Sequence, residues 1–339
     1  CVGVICVGCF RGMVAPGGVV VAIAFIVANT ALVGDKFVAL GWSSARGVYY
    51  PFGKGVCSLI NENRDNHLVR CQVYETGGSI YNIQALRSGE LDVAITRADL
   101  AYLAAKGEGV FKSTEPMAGL QIIASLYDNP VGIIVKNDSK FNSVEDIPGS
   151  RINIGNLGSG KRDFSDLLFK VMGWKKRDFL SVGELSTSKM GKAFCAGEVD
   201  VLIQAMGIPA KFYDDMIHNC DGRFVPITED VLTKLNLEAP FLEATVIPGG
   251  MYRSNPEDVR TIGTKAVLVT IDRVDPNTSY QICSALFSKI ERLREQDVSL
   301  QNASVKAMAN EGVYIPFHLG ATQYFNDNAI GFRQVDTQK

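Results

Sequence analysis

A repeated pattern of eleven residues is the feature that most limits how this chain can fold. The segment "ALRSGELDVAI" (85–95) aligns without gaps to "AFCAGEVDVLI" (193–203), and six of the eleven positions are identical. In both copies a helical pattern ends at Gly, which readily takes the left-handed cap conformation. An acidic turn then leads into an apolar strand. The sequence therefore predicts two similar α/β lobes.

Strand and helix patterns alternate around both copies. The strand patterns "KFVALG" (36–41) and "LVRCQVYE" (68–75) are separated by a helix pattern at 49–63, and the second half alternates in the same way. Such alternation is typical of βαβ units and mainly parallel sheets. The 339 residues, 47% of them hydrophobic, suffice for two cores. We therefore predict an α/β fold with a cleft between two lobes.

The lobes are assigned from the segments that run between them. Lobe 1 is placed at residues 35–127 and 246–339, and lobe 2 at residues 128–245. Two crossing segments join them, so we predict hinges near Tyr127–Val131 and Thr245–Pro248.

An apolar run near the N-terminus predicts export. The ten residues "VVVAIAFIVA" (19–28) fit the apolar core of a signal peptide, about 7–15 residues long. They fall short of the roughly 20 residues that span a membrane. We predict that residues 1–34 are a cleaved leader and that the mature protein is periplasmic. A retained membrane anchor and a buried helix are the alternatives.

The cysteines agree with an oxidising compartment. Cys1, Cys6 and Cys9 fall in the predicted leader, and no Cys-x-x-Cys or zinc-type spacing occurs beyond it. Two pairs are close in sequence, so we predict local disulfides at Cys57–Cys71 and Cys195–Cys220, with Cys283 free. The alternative is that all five are buried thiols.

Gly-rich segments follow several predicted strands. These are "WSSARGVYYP" (42–51), "TGGSIYN" (76–82) and "NLGSGKR" (156–162), and each opens a helix. Ligands of open α/β sheets bind at the carboxyl ends of the strands, and a helix N-terminus offers free N–H donors to an anion. The pattern predicts a small anionic ligand in the cleft. A helix cap at 76–82 and a structural turn at 156–162 are the alternatives.

The segment Gly155–Lys161 has the G-x-x-x-x-G-K spacing of a nucleotide-binding loop. The next residue should be Ser or Thr to hold Mg²⁺, but it is Arg162. We therefore predict an anion-holding turn that uses Ser159, backbone N–H groups and Arg162, without nucleotide hydrolysis.

Several further motifs occur in order along the chain: Gly47-Val-Tyr-Tyr-Pro51, Glu75-Thr-Gly-Gly-Ser79 with Asn82, Gly89-Glu-Leu-Asp92, "INIGNLGSGKR" (152–162), Gly207-Ile208-Pro209, Ile247-Pro-Gly-Gly-Met-Tyr252 and Pro316-Phe-His-Leu-Gly-Ala321. Taken together, they resemble TAXI-type solute receptors of tripartite ATP-independent periplasmic (TRAP) transporters. The resemblance implies a type II periplasmic binding protein fold, capture of a small organic acid or amino acid, delivery to a membrane permease pair, and no catalysis. This chain departs from the family pattern at Arg97, where Gln is usual, and at Leu157, where Pro is usual.

These observations predict a monomeric, extracytoplasmic receptor for a small organic acid or an acidic amino acid, glutamate-like or a dicarboxylate. Its partner is a TRAP-type permease, and no cofactor, metal or nucleic acid is predicted. The net charge is −2 and no basic run occurs, which excludes an electrostatic nucleic-acid footprint. An exported transferase or hydrolase and a membrane-anchored sensor are the alternatives.

The predicted ligand-binding residues come from the Gly-rich segments and from strand ends that face the cleft. Arg97 and Arg162 are expected to clamp carboxylates from opposite lobes; alternatively, Arg97 pairs with Asp99 and Arg162 with a surface acid. The full set is Ser44, Tyr49, Tyr50, Thr76, Gly77, Gly78, Ser79, Asn82, Arg97, Gly158, Ser159, Gly160, Arg162, Gln204 and Gly207.

Overall fold

The alternation of strands and helices is confirmed by a computed structural model that describes residues 36–43, 49–301 and 303–335. The predicted leader and Ser44 lie outside the described residues. Ten strands lie in the described part of the chain: β1 (Lys36–Gly41), β2 (Val69–Tyr74), β3 (Val93–Arg97), β4 (Leu120–Lys136), β5 (Arg151–Asn153), β6 (Ser181–Gly183), β7 (Val201–Ala205), β8 (Gly222–Val225), β9 (Glu243–Ile247) and β10 (Val259–Ile271).

The helices pack on the faces of the sheet that these strands form. Those in the described residues are α1 (Tyr49–Glu62), α2 (Arg64–His67), α3 (Ser79–Ser88), α4 (Ala98–Lys106), α5 (Gly160–Met172), α6 (Thr187–Cys195), α7 (Lys211–Asp214), α8 (Glu229–Glu238), α9 (Pro276–Ser288), α10 (Ile290–Gln296), α11 (Val305–Met308) and α12 (Leu319–Asp327).

The sheet is mixed, with parallel ends and an antiparallel centre. Its order is β2-β1-β3-β10-β4-β7-β5-β6, while β8 pairs with β4 and β9 pairs with β10. β1 is parallel to β2 and β3, and β5 is parallel to β6 and β7. The pairings made by β4 and β10 are all antiparallel. The α/β prediction is confirmed, whereas the mainly parallel character holds only toward the two ends.

The repeated sequence pattern performs the same task in both halves of the sheet. The carboxylate of Asp92 accepts a hydrogen bond from the backbone N–H of Ala39 in β1, at 2.9 Å. Asp200 occupies the same place in the second copy, and its carboxylate accepts from the backbone N–H of Arg151 in β5, at 2.8 Å. Asp92 therefore links the start of β3 to its parallel neighbour β1, and Asp200 links the start of β7 to its parallel neighbour β5.

Two long strands run from one half of the sheet into the other. β4 pairs with β10 as far as Pro130 and with β7 from Val131 onward, within the first predicted hinge. β10 pairs with β9 up to Gly263 and with β3 from Ala266. β10 thus changes its pairing partner between Gly263 and Ala266, whereas Thr245 lies in β9, which pairs with the start of β10. The hinge near Thr245–Pro248 stays a prediction.

The loop between β9 and β10 contacts elements that the sequence assigns to the other lobe. The backbone N–H of Ala210 donates to the Tyr252 hydroxyl at 2.8 Å, and that of Phe224 donates to Asn255 Oδ1 at 3.1 Å. These contacts attach the loop to the start of α7 and to β8, which lie on the other side of the predicted lobe boundary at residue 246. The sequence could not show this, because the partners are distant along the chain.

Two apolar clusters form the core. The smaller packs α5 and α8 against the half of the sheet around β5 and β7, through residues such as Phe164, Leu168 and Leu235. The larger fills the half of the sheet around β1 and β3 and extends to Phe194 and Tyr213. The helices that carry the site described below are thus held by different clusters, α5 by the smaller one and α3 and α6 by the larger one.

Cysteine pairing follows the predicted pattern within the described residues. Disulfides join Cys57 of α1 to Cys71 of β2, and Cys195 of α6 to Cys220. Cys283 is free and buried. Each bridge ties a helix to a neighbouring segment. Among the described residues, no helix combines the length and the apolar character needed to cross a lipid bilayer.

Candidate functional site

The carboxyl ends of strands from both halves of the sheet surround a polar cavity of about 180 Å³. Residues at or after the ends of β1, β2 and β3 line it from one half, and residues at or after the ends of β5, β6 and β7 line it from the other. The volume is below the roughly 300–1,000 Å³ of sites for drug-sized ligands, so a small molecule fits. The lining residues are Ser43, Tyr49, Glu75, Thr76, Gly77, Gly78, Ser79, Arg97, Asn129, Asn156, Ser159, Gly160, Lys161, Ser186, Thr187, Ser188, Gln204 and Ala205.

The two Gly-rich loops at the mouth of this cavity contact each other directly. The backbone N–H of Tyr81, in the first turn of α3, donates to Gly158 O at 3.2 Å. In return, the side-chain amide of Asn156 donates to Gly77 O at 3.2 Å. The loops that the sequence predicts to face the ligand therefore also join the two lobes.

Glycine is required where these loops meet. Gly78 has φ +110°, a conformation that side chains disfavour. A Cβ on Gly160 would lie 2.9 Å from Arg97 Cδ and 3.2 Å from Ser79 Oγ. A side chain at Gly160 would therefore push Arg97 or the start of α3 away from α5.

Ser159 holds the start of α5 in a standard cap. Its hydroxyl oxygen accepts from the backbone N–H of Arg162 at 3.3 Å, and its O–H donates to Asn156 O at 2.6 Å. The cap sets the direction in which the first helical turn enters the cavity wall.

Arg97 lines the cavity, but its charge is compensated. Its guanidinium donates to both carboxylate oxygens of Asp99, to Gly160 O at 2.5 Å, and pairs with Asp163 at 3.2 Å. Burial lowers the pKa of Arg97, but the charges of Asp99 and Asp163 outweigh it and hold that pKa above its ordinary value. Burial also raises the pKa of the Asp163 carboxyl, an effect that Arg97 opposes. Arg97 thus connects β3 with α5. It also pairs with Asp99, which was the alternative to ligand binding in the sequence analysis.

Arg162 does not reach the cavity in this structure. It pairs with Asp166, one turn further along α5, at 2.9 Å and with Glu184 at 3.0 Å. Both arginines are thus engaged by carboxylates in this structure, and the expected clamp of two guanidinium groups stays a prediction.

Four other predicted residues lie outside the cavity wall. Tyr50 stacks on Trp42, with ring centroids 4.3 Å apart. Asn82 donates to Trp42 O and Ile95 O, which ties β1 to β3. A Cβ on Gly207 would lie 2.7 Å from the Tyr127 ring, so this glycine serves packing. Gly158 contributes the carbonyl that accepts from Tyr81, as described above.

The remaining predicted residues are brought together around the cavity. Among them, Thr76 also has a structural role, since its hydroxyl donates to Trp42 O at 2.5 Å and accepts from the backbone N–H of Gly78. Burial raises the pKa of the Tyr49 hydroxyl. The predicted residues that line the cavity are Tyr49, Thr76, Gly77, Gly78, Ser79, Arg97, Ser159, Gly160 and Gln204.

Lys161 is the most consequential residue that the sequence prediction left out. Its side chain is 7% exposed and its ammonium donates to Thr187 Oγ1 at 2.7 Å, whose hydroxyl in turn lies 3.4 Å from Gln204 Oε1. Burial lowers the pKa of Lys161 to about 8. The aliphatic stem lies over Gly155, where a Cβ would come within 2.6 Å of Lys161 Cγ.

Two further sets of lining residues were also missed. Asn129 is buried in β4, and its amide donates to the Tyr49 hydroxyl at 3.3 Å while its carbonyl oxygen has no partner. Ser186, Thr187 and Ser188 begin α6 behind the three-residue strand β6. The run Ser-Thr-Ser is itself a helix-start signal, but the strand before it is too short to stand out.

No group of three or more His, Cys, Asp or Glu side chains among the described residues is arranged to hold a metal ion.

Comparison with known proteins gives one family and several solved structures. A model of the NMT1-like family matches residues 40–328. The alkanesulfonate-binding protein SsuA from Xanthomonas axonopodis pv. citri, bound to MOPS, is 17% identical, with a TM-score of 0.46 and 78% of each chain covered. A putative L-cystine ABC transporter protein from Listeria monocytogenes is 11% identical, with a TM-score of 0.48, covering 79% of this chain and 97% of that one. The periplasmic binding protein BugD is 11% identical, with a TM-score of 0.49, covering 77% and 86%.

Proposed function

The chain belongs to the NMT1-like family, and we propose that it is an exported receptor that captures a small organic acid between two lobes. The observation that carries the proposal is the small polar cavity at the carboxyl ends of the strands. Ligands of open α/β folds bind in this position, and α3 and α5 both begin there. The ligand class extends to amino acids with an acidic side chain.

The chemistry of the lining supports binding rather than catalysis. Hydroxyl groups of Ser79, Ser159 and Thr187 are present, but the described lining residues include no histidine to activate them. A close Ser–His pair does occur elsewhere, where His318 Nδ1 lies 2.5 Å from Ser279 Oγ. His318 caps α12 by accepting from the backbone N–H of Gly320, which is a structural role.

The proposed site of action is outside the cytoplasm. Two disulfides are typical of an oxidising compartment, and the predicted leader points to the periplasm. The resemblance to TAXI-type receptors supports delivery of the solute to a TRAP-type permease. We further propose that the two lobes move about β4 and β10, which change their pairing partners between the halves of the sheet.

Ligand retention is the direct test of this function. The protein, exported to the periplasm of a bacterial host and purified without denaturant, is examined by native mass spectrometry. We expect one small acid of constant mass that is released on unfolding and is chemically unchanged after prolonged incubation. A ligand-free spectrum from every preparation, with no small acid bound on addition, contradicts the proposal.

A further inference from the structure

We infer that Lys161 forms the ion pair with the ligand's carboxylate, and that one carboxylate is the anionic group that this cavity is built to accept. The inference rests on the proposed function and specifies the residue and the chemical class within it. It replaces the two arginines as the source of anion recognition.

The first argument is the difference in charge compensation among the cations at the site. Arg97 is balanced by Asp99 and Asp163, and Arg162 by Asp166 and Glu184. In contrast, no ion pair among the described residues includes Lys161. A buried ammonium without a counter-charge is unfavourable, and an incoming carboxylate supplies the missing charge.

The second argument is the position of the ammonium group. Lys161 and its hydrogen-bond acceptor Thr187 both line the cavity. One of the three ammonium donors is used by Thr187. Within the described residues the ammonium makes no other hydrogen bond, which leaves donors for a ligand.

The third argument is that the surrounding structure holds the lysine in place. The absence of a side chain at Gly155, which has φ +90°, makes room for the stem. Thr187 and Gln204 continue the polar wall beyond the ammonium. Burial alone accounts for the lowered pKa of Lys161, so no charge among the described residues offsets the burial of its ammonium.

The ion pairs around Arg97 indicate that the cavity accepts one carboxylate rather than two. A second carboxylate would meet Arg97, whose donors already serve Asp99 and Gly160, and it would approach Asp163. We therefore expect monocarboxylates to bind more tightly than dicarboxylates of similar size.

The test is calorimetry with acetate, lactate, glutamate and succinate, each beside its amide counterpart: acetamide, lactamide, glutamine and succinamate. The proteins are the parent, Lys161→Met and Lys170→Met. Lys170 is an exposed lysine of the same helix, paired with Glu238, so its removal controls for net charge. Lys161→Gln serves as a second variant, and circular dichroism verifies that each protein is folded.

We expect the parent to bind a monocarboxylate at least 30-fold more tightly than its amide. Lys161→Met should lose about 100-fold in affinity for that acid, the usual effect of removing one partner from a desolvated charge pair. Lys170→Met should bind like the parent.

Three results would overturn the inference. Equal binding of an acid by the parent and by both Lys161 variants removes Lys161 from the site but leaves the receptor function standing. Equal binding by the parent of acetate and acetamide, and of lactate and lactamide, whose amides have no carboxylate, removes the carboxylate preference, again without affecting the receptor function. Binding of no probe by the parent contradicts the inference and the proposed function together.

Discussion

Lys161 is the residue at which stability and function oppose each other. A charge held in a buried position without a counter-charge lowers the free energy of unfolding, whereas the same charge provides the strongest single contact that an organic acid could make in this cavity. Functional sites often retain such unfavourable groups. The Lys161 stem packs over Gly155 and its ammonium donates to Thr187. These contacts keep the ammonium in the cavity wall and out of the solvent.

A direct prediction is that Lys161→Met stabilises the unliganded protein at pH 7. Burial lowers the pKa of Lys161 from 10.5 to about 8, so the buried charge lowers the free energy of unfolding by about 3 kcal/mol. The substitution removes this cost but also loses the hydrogen bond to Thr187, which contributes about 1 kcal/mol. We therefore expect the free energy of unfolding to rise by about 2 kcal/mol. Urea unfolding measures it, with Lys170→Met as the control.

This prediction has a defined pH dependence. Between pH 8 and 10.5 the unfolded chain holds the lysine proton and the folded chain releases it, so the parent becomes more stable relative to Lys161→Met as pH rises. By pH 10 the Lys161 charge should lower the free energy of unfolding of the parent by less than about 1 kcal/mol. Both proteins share the other titratable groups near Lys161: Tyr49, Glu75 and Arg97 in the cavity wall, and Asp163 on α5. A variant no more stable than the parent at pH 7 would contradict the account.

The sequence could not select Lys161 over Arg162. Consecutive residues of a helix point about 100° apart, so only one of the two can face the cavity. Which one does so depends on how α5 docks on the sheet, and that is set by apolar residues such as Phe164 and Leu168. The sequence predicted an anion-holding turn at 156–162, but it could not indicate the direction of the first helical turn that follows.

At the scale of elements, Arg97 is the main polar connection between β3 and α5. Removing it leaves Asp99 and Asp163 without their cation. We predict that Arg97→Gln lowers the free energy of unfolding by about 3–5 kcal/mol, the usual effect of breaking a buried pair. Arg151→Gln is the matched control, because the Arg151 side chain is 41% exposed in its pair with Asp200, and such pairs contribute about 1 kcal/mol or less.

Denaturant unfolding of both variants measures this difference. If Arg97→Gln and Arg151→Gln lower the free energy of unfolding equally, the buried ion pairs of Arg97 contribute no more to stability than a surface pair.

Local patterns predicted most elements but not how β4 and β10 pair. Helix ends at Gly89 and Gly173 and apolar strands such as β3 are encoded within a few residues. The pairing of Pro130 with Gly263 joins segments more than a hundred residues apart, and no local signal reports it. For this reason the sequence could not indicate that β10, like β4, changes its pairing partners along its length.

At the scale of the whole molecule, we predict that ligand binding compacts the protein. The Gly-rich loops from the two halves of the sheet meet through Tyr81 and Gly158, and β4 and β10 run from one half into the other. Hinge closure about a ligand is expected from this arrangement. Small-angle scattering of protein stripped of ligand should give a smaller radius of gyration after lactate or glutamate is added, while Lys161→Met should not respond. An unchanged radius for the parent at saturation would count against hinge closure.

The most direct test of the central claim is a crystal structure of the exported protein purified with its own ligand. The account predicts electron density for a small acid in the cavity between the lobes. One carboxylate oxygen should lie about 2.7–2.9 Å from Lys161 Nζ. A ligand whose carboxylate is bound by Arg97 or Arg162 while Lys161 contacts only water, or a cavity that holds only water at saturating acid, would contradict it.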